Sequence, residues 1–177
     1  MGLFINLLFL AISFITLAVA GGFSTNGAVR VTGIPAWDKN PDLYTAHKYL
    51  SISATVCWVT VAVIIVGAIV YAIFGAETVE LGTLGWADYV VYGLLFLSLA
   101  ATIGVGILSA IAAQKIAASG VTENNSSRRQ AIIAAVLAIV ASVAIIAAFL
   151  FLFFGSGGKK KDETSKTSEL QTLALLA

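Results

Sequence analysis

The chain has 177 residues, of which 59% are hydrophobic and 11% charged, with a mean hydropathy of +0.99; soluble domains run near 45–50% apolar and about 25% charged. That balance excludes a soluble globular enzyme. Ten Lys+Arg against nine Asp+Glu leave a net charge of +1, too little for a global field that would hold nucleic acid or a strongly acidic partner. With one cysteine, Cys57, and one histidine, His47, neither an intramolecular disulfide nor a Cys/His metal set can be drawn, and no cofactor is expected.

Four apolar stretches follow in chain order: Leu3 to Ala20, Leu50 to Phe74, Tyr89 to Ala113 and Ala131 to Phe154. Each approaches the roughly 20 residues needed to cross about 30 Å of hydrocarbon, and none contains a charged residue. Backbone groups in lipid must be satisfied within the segment, so stretches of this length predict helices. The expected fold is an all-α integral membrane four-helix bundle, a tetraspan, with a small extramembrane cap and a polar C-terminal tail. Its transmembrane domain is 1–154, with helices about 3–20, 41–74, 86–119 and 128–154, and its tail is 155–177.

In the first stretch, Ala18-Val19-Ala20 ahead of Gly21-Gly22 has the small-x-small form of a signal-peptidase site. The apolar run is longer than a usual signal core of roughly 7–15 residues, and no Lys or Arg precedes it. A retained helix is therefore expected, with a cleaved signal as the alternative. Gly21 to Tyr49 is the longest polar segment before the tail, with Arg30, Lys39, Lys48, Asp38, Asp42, Trp37, four glycines and two prolines. Within it Asn40-Pro41-Asp42 supplies an N-cap, a proline at the first helical position and a carboxylate in the first turn, so the second helix is predicted to start near Pro41. Running to Phe74 it would be about 51 Å long and project beyond the bilayer.

The third helix is predicted to end at Ser119, with Gly120 as its C-terminal cap residue. Ser127 and Gln130 form a capping-box pattern ahead of the last apolar run. The short connection between them makes helices 3 and 4 an antiparallel hairpin. Chain parity then places Gly21 to Tyr49 and Gln114 to Gln130 on one face of the membrane, as the cap, and the acidic loop with Glu77, Glu80 and Asp88 on the other, with the tail. The cap face holds six basic residues (Arg30, Lys39, Lys48, Lys115, Arg128, Arg129) and the tail face four (Lys159, Lys160, Lys161, Lys166). The larger total favours a cytoplasmic cap. The concentrated lysine run and the signal-like start favour a cytoplasmic tail, and the balance falls to the tail.

On helix 3, Ser98, Thr102, Gly106 and Ala110 repeat small residues at every fourth position, and Ala134, Ala138 and Ser142 form a matching row on helix 4. Such stripes let backbones approach in lipid, where apolar burial gives little drive. Packing within the hairpin is the expected use, and a homo-oligomer interface the competing one. The hydroxyls within the spans are read as packing groups, and no intramembrane ionisable residue marks an ion or proton path. Trp37, Trp86, Tyr49, Tyr89 and Tyr92 gather at span ends as interfacial anchors. Asn124-Asn125-Ser126 and Asn125-Ser126-Ser127 have the glycosylation acceptor form. In the tail, a Gly155-to-Gly158 hinge precedes Lys159, Lys160 and Lys161, and Leu170 and Leu173 share a helical face. This reads as a tether, its lysines and leucines contacting lipid or a partner.

From Asn40 to Gly75, the stretch Asp42-Leu43-Tyr44-Thr45-Ala46-His47-Lys48-Tyr49-Leu50 followed by Ala54 and Trp58 resembles the juxtamembrane entry helix of membrane proteins in large icosahedral double-stranded DNA viruses. The resemblance implies a place in the inner membrane beneath the capsid and contact with minor capsid proteins, and it carries over no catalytic residue. Cellular four-helix MARVEL-like proteins look similar at this level. The expected function is a structural, non-enzymatic multi-pass membrane protein that anchors or organises partners. Its expected partners are the lipid bilayer and other structural or capsid proteins, with no nucleic acid. The alternative is a small oligomeric channel or transporter subunit.

Overall fold

The computed structural model describes residues 2–81, 86–121 and 125–155. The chain is an all-α bundle of α1 (Gly2–Thr32), α2 (Pro41–Leu81), α3 (Trp86–Ala118) and α4 (Asn125–Gly155), with one 3-10 turn, Trp37–Lys39, between α1 and α2. Each helix contains a stretch long and apolar enough to cross a membrane, at Leu8–Thr32, Pro41–Val70, Tyr92–Ala118 and Asn125–Leu150. The protein is an integral multi-pass membrane protein.

The helix ends follow local chemistry. The Asn40 Oδ1 atom accepts hydrogen bonds from the backbone N–H groups of Asp42 and Leu43 at 3.0 and 3.3 Å, and Pro41 occupies the first helical position, where its missing N–H costs nothing. At the other end of the cap, α3 stops at Ala118, and Gly120 takes the left-handed conformation at φ 71° that closes a helix. The turn leaving α1 is tighter than composition suggests. Pro35 and Ala36 occupy its centre, the Trp37 N–H donates to the Ile34 carbonyl at 3.2 Å, and Ala36 is held at φ 56°.

Three predicted boundaries are corrected. The first helix does not end at Ala20 but continues through Gly21 and Gly22 to Thr32, so the expected polar segment 21–49 shrinks to a connection of residues 33–40. The glycines are notches, not breaks. A Cβ on Gly21 would lie 3.1 Å from Cys57 Cβ, and one on Gly27 3.2 Å from Leu50 Cδ1, so each lets α2 approach the α1 backbone. The threonines of this stretch are satisfied along the helix: the Thr25 hydroxyl donates to the Gly21 carbonyl at 2.8 Å and that of Thr32 to the Val29 carbonyl at 2.7 Å. The capping box is the second correction, because α4 begins at Asn125. Ser127 and Gln130 then fall inside the helix, and both are buried. At the opposite membrane face α2 runs to Leu81, beyond the predicted Phe74.

The helices form a ring in which α1 and α3 each pack against both α2 and α4. Contacts fix the directions as alternating. Gly21 lies near Cys57 and Gly27 near both Leu50 and Gln130, Gly67 near Leu94, and Gly106 near Ala138. Side-chain size decides which face turns inward. The buried apolar positions of α4 are Ala131, Ala134, Ala135, Ala138, Ala141, Ala144, Ile145 and Ala148, whereas Ile132, Val136, Ile139, Val143 and Leu150 are exposed. Small residues inside and branched ones outside suit a bundle surrounded by lipid, where close backbone approach supplies the van der Waals contact.

Candidate functional site

The cap is built from the ends of all four helices. Beneath it a core cluster joins Ala28 and Val31 of α1, Leu43, Ala46 and Leu50 of α2, Ala112, Ala113 and Ile116 of α3, and Ala131 of α4, with Ile34, Trp37, Tyr49 and Val121 packed against it. Two polar links fasten its rim. Lys115 Nζ lies 2.9 Å from Asp42 Oδ1, joining the last turn of α3 to the first turn of α2, each charge at the helix end its dipole favours. Arg30 Nη1 donates to Ser126 Oγ at 2.7 Å, joining the end of α1 to the start of α4. Trp37 covers the α2 entry, its ring stacked 6.2 Å from Tyr44 and tilted 4.7 Å from His47. His47 is thus placed by packing against an indole. Outward from this stack Asp38, Lys39, Tyr44 and Lys48 are exposed, a small polar and aromatic surface on a braced support.

Of the predicted helix-packing residues, Ser98, Thr102, Gly106, Ala134, Ala138 and Ser142 are all buried. Thr102 and Ser142 meet directly, the Ser142 hydroxyl lying 2.8 Å from that of Thr102 and also donating to the Ala138 carbonyl at 2.9 Å. A Cβ on Gly106 would meet Ala138 Cβ at 3.8 Å and the Ala135 carbonyl at 3.9 Å. Ala110 departs from the stripe and is exposed. The reason is angular: a four-residue step turns about 400° at 3.6 residues per turn, so the stripe drifts some 40° per step and leaves the seam by its fourth member.

Sequence reasoning did not single out a layer of serines between the cap core and the deeper cluster of Leu17, Ala20, Cys57, Val61, Val105, Ala138 and Ala141. Ser24 lies midway between Gly21 and Gly27, and Ser53 midway between their partners Cys57 and Leu50, so the two stand at one depth. Ser109, one turn from Gly106 toward the cap, comes to the same level on α3. All three are fully buried, and their hydroxyls, with Gln130 Oε1 about a turn above, make no hydrogen bond among the described residues. The four small side chains at this level, those of Ser24, Ser53, Ser109 and Ala134, form a polar slice of the interior. The available signal was a serine on three helices at matching distances from the cap, legible only once the register is known.

The predicted lipid- or partner-contacting residues Lys159, Lys160, Lys161, Leu170 and Leu173 lie outside the described residues, as does Asn124 of the first glycosylation pattern. No family model matches the chain, and no curated protein or solved structure matches it either.

Proposed function

We propose that this protein is a structural component of a membrane that anchors or organises partner proteins through its cap and its C-terminal tail. The observation that carries the reading is the braced cap. Links from Asp42 to Lys115 and from Arg30 to Ser126 tie the helix ends together, and the support they make presents Asp38, Lys39, Tyr44 and Lys48 to one side of the membrane. A shallow surface with mixed charge and an exposed aromatic ring on a braced backbone suits protein docking, because the backbone beneath it needs little further ordering on binding. The resemblance of the Asn40-to-Gly75 stretch extends this reading to the inner membrane of a large DNA virus particle, with minor capsid proteins as partners. The tail supplies the second point of attachment.

Lysine cross-linking with mass spectrometry on the native membrane or particle tests the proposal. Lys39 and Lys48 report the cap, and Lys159 to Lys161 the tail. Abundant links from these lysines to other structural proteins are expected; links confined to copies of this chain would overturn the scaffold reading. One observation favours a second function, a small oligomeric channel or transporter subunit. Unpaired hydroxyls in the buried slice of Ser24, Ser53 and Ser109 are costly in an apolar interior and are usually met by water or a ligand. A flux assay in liposomes decides it: a pore using this slice loses conductance when the three serines become alanine, and no flux in the wild type refutes it.

A further inference from the structure

The outer face of the α3–α4 hairpin carries an open groove of about 390 Å³, distinct from the cap surface and the tail and independent of the function proposed above. Its walls are Ala110, Ala113 and Ala117 of α3 and Ala135, Val136 and Ile139 of α4. The floor is therefore largely methyl groups, left by the small residues that let these helices approach. Two polar side chains stand at its cap end, Gln114 and Arg128. Along α4 the groove runs from Arg128 to Ile139, eleven residue steps or about 16 Å. That length matches one leaflet, half of the roughly 30 Å hydrocarbon thickness.

From this geometry we infer that the groove is a binding site for one anionic phospholipid of the cap-side leaflet, its phosphate at Arg128 and one acyl chain along the alanine floor. Three observations specify the occupant. The groove opens sideways on a helix face whose exposed residues, Ile132, Val136 and Ile139 among them, are lipid-facing. Its polar end is level with the beginning of α4, where the candidate span Asn125–Leu150 starts, and its apolar end lies near the middle of that span. Charge complements a phosphate: Arg128 and Arg129 sit in the first turns of α4, where the helix dipole disfavours cations and favours an anion, and Arg128 makes no ion pair among the described residues. A guanidinium binds phosphate oxygens in bidentate geometry, and Gln114 adds an amide donor beside it. A second copy of the chain fits less well, since a packed helix would need a seam longer than this one.

The test uses the full-length protein in nanodiscs of equal phosphatidylglycerol and phosphatidylcholine, with retained lipid counted by native mass spectrometry. A photoactivatable phosphatidylglycerol, labelled on its acyl chain, maps the contact. The wild type is expected to retain one phosphatidylglycerol in preference, and the label to attach within 110–117 and 132–139. Arg128→Gln should lower the phosphatidylglycerol preference about fivefold. Ala110→Phe, at an exposed wall position that leaves the core untouched, should abolish labelling of the groove while thermal stability stays at the wild-type level. Equal retention of the two lipids, an unchanged preference in Arg128→Gln, labelling on α1 or α2 instead, or copy-to-copy cross-links through the groove would each overturn the assignment.

Discussion

At Gly21 a side chain has nowhere to go: its Cβ would stand 3.1 Å from Cys57 Cβ and 3.4 Å from the Trp58 ring, while at the adjacent Gly22 nothing lies within 4 Å. The same dipeptide therefore holds one tightly packed glycine and one with open space beside it. Gly21→Leu should destabilise the bundle by about 1–3 kcal/mol, the usual effect of overpacking. Gly22→Ala should stabilise it by about 0.5–1 kcal/mol, because alanine loses less conformational entropy in a helix. Thermal unfolding in nanodiscs separates them, and similar destabilisation by both substitutions would refute the notch. Ala36 presents the reverse case, a Cβ in a left-handed turn position that favours glycine. Ala36→Gly should raise the unfolding temperature slightly, corresponding to about 0.5 kcal/mol once relieved strain is set against added chain entropy. Gly21-Gly22 also shows why residue-level reading missed the end of α1. Glycine serves turns and close approaches alike, and only the identity of the residue across from it, here Cys57, decides between them.

Among the elements, α3 and α4 show what periodicity can and cannot reveal. The number of spans, the start of α2 at Asn40-Pro41 and the end of α3 ahead of Gly120 were legible, because length, capping chemistry and left-handed glycine act locally. Which face of each helix turns inward was harder to read. Both faces of α4 are apolar, so polarity carries no signal and size carries it instead, alanine inward against isoleucine and valine outward. The Thr102, Gly106 and Ser142 seam follows that size rule, whereas Ala110 continues the sequence stripe but is carried out of the seam by the helix pitch. Gly106→Leu should force α3 from α4, since even a methyl group there would touch Ala138 and the Ala135 carbonyl; loss of thermal stability with retained helical circular dichroism is the expected signature, and wild-type stability would place Gly106 against lipid. The Asp42–Lys115 link predicts a gentler result. Its side chains are 31% and 43% exposed, so a double-mutant cycle with Asp42→Asn and Lys115→Met should give only a small coupling that falls as salt is raised.

For the whole molecule, alternating helix direction sorts the chain into two ends. The last turns of α1 and α3 and the first turns of α2 and α4 share the braced end, and the opposite turns of the four helices share the other. Parity made this sorting legible from the number of spans alone. The serine slice was not legible, since it depends on the register between helices. The described core of the bundle runs from Ser13 to Ala148 and is held by packing among the four helices themselves. Deleting residues 156–177 should leave the unfolding temperature unchanged while removing the partner cross-links made through Lys159 to Lys161. The cap variant Lys39→Glu/Lys48→Glu should do the converse, sparing tail cross-links and losing those at the cap, because reversing two exposed charges on a rigid surface alters recognition without touching the core. If deletion of the tail leaves partner association at its full level, attachment belongs to the cap alone. If the deletion unfolds the bundle, the tail is part of the fold, and its role as a separable tether is lost.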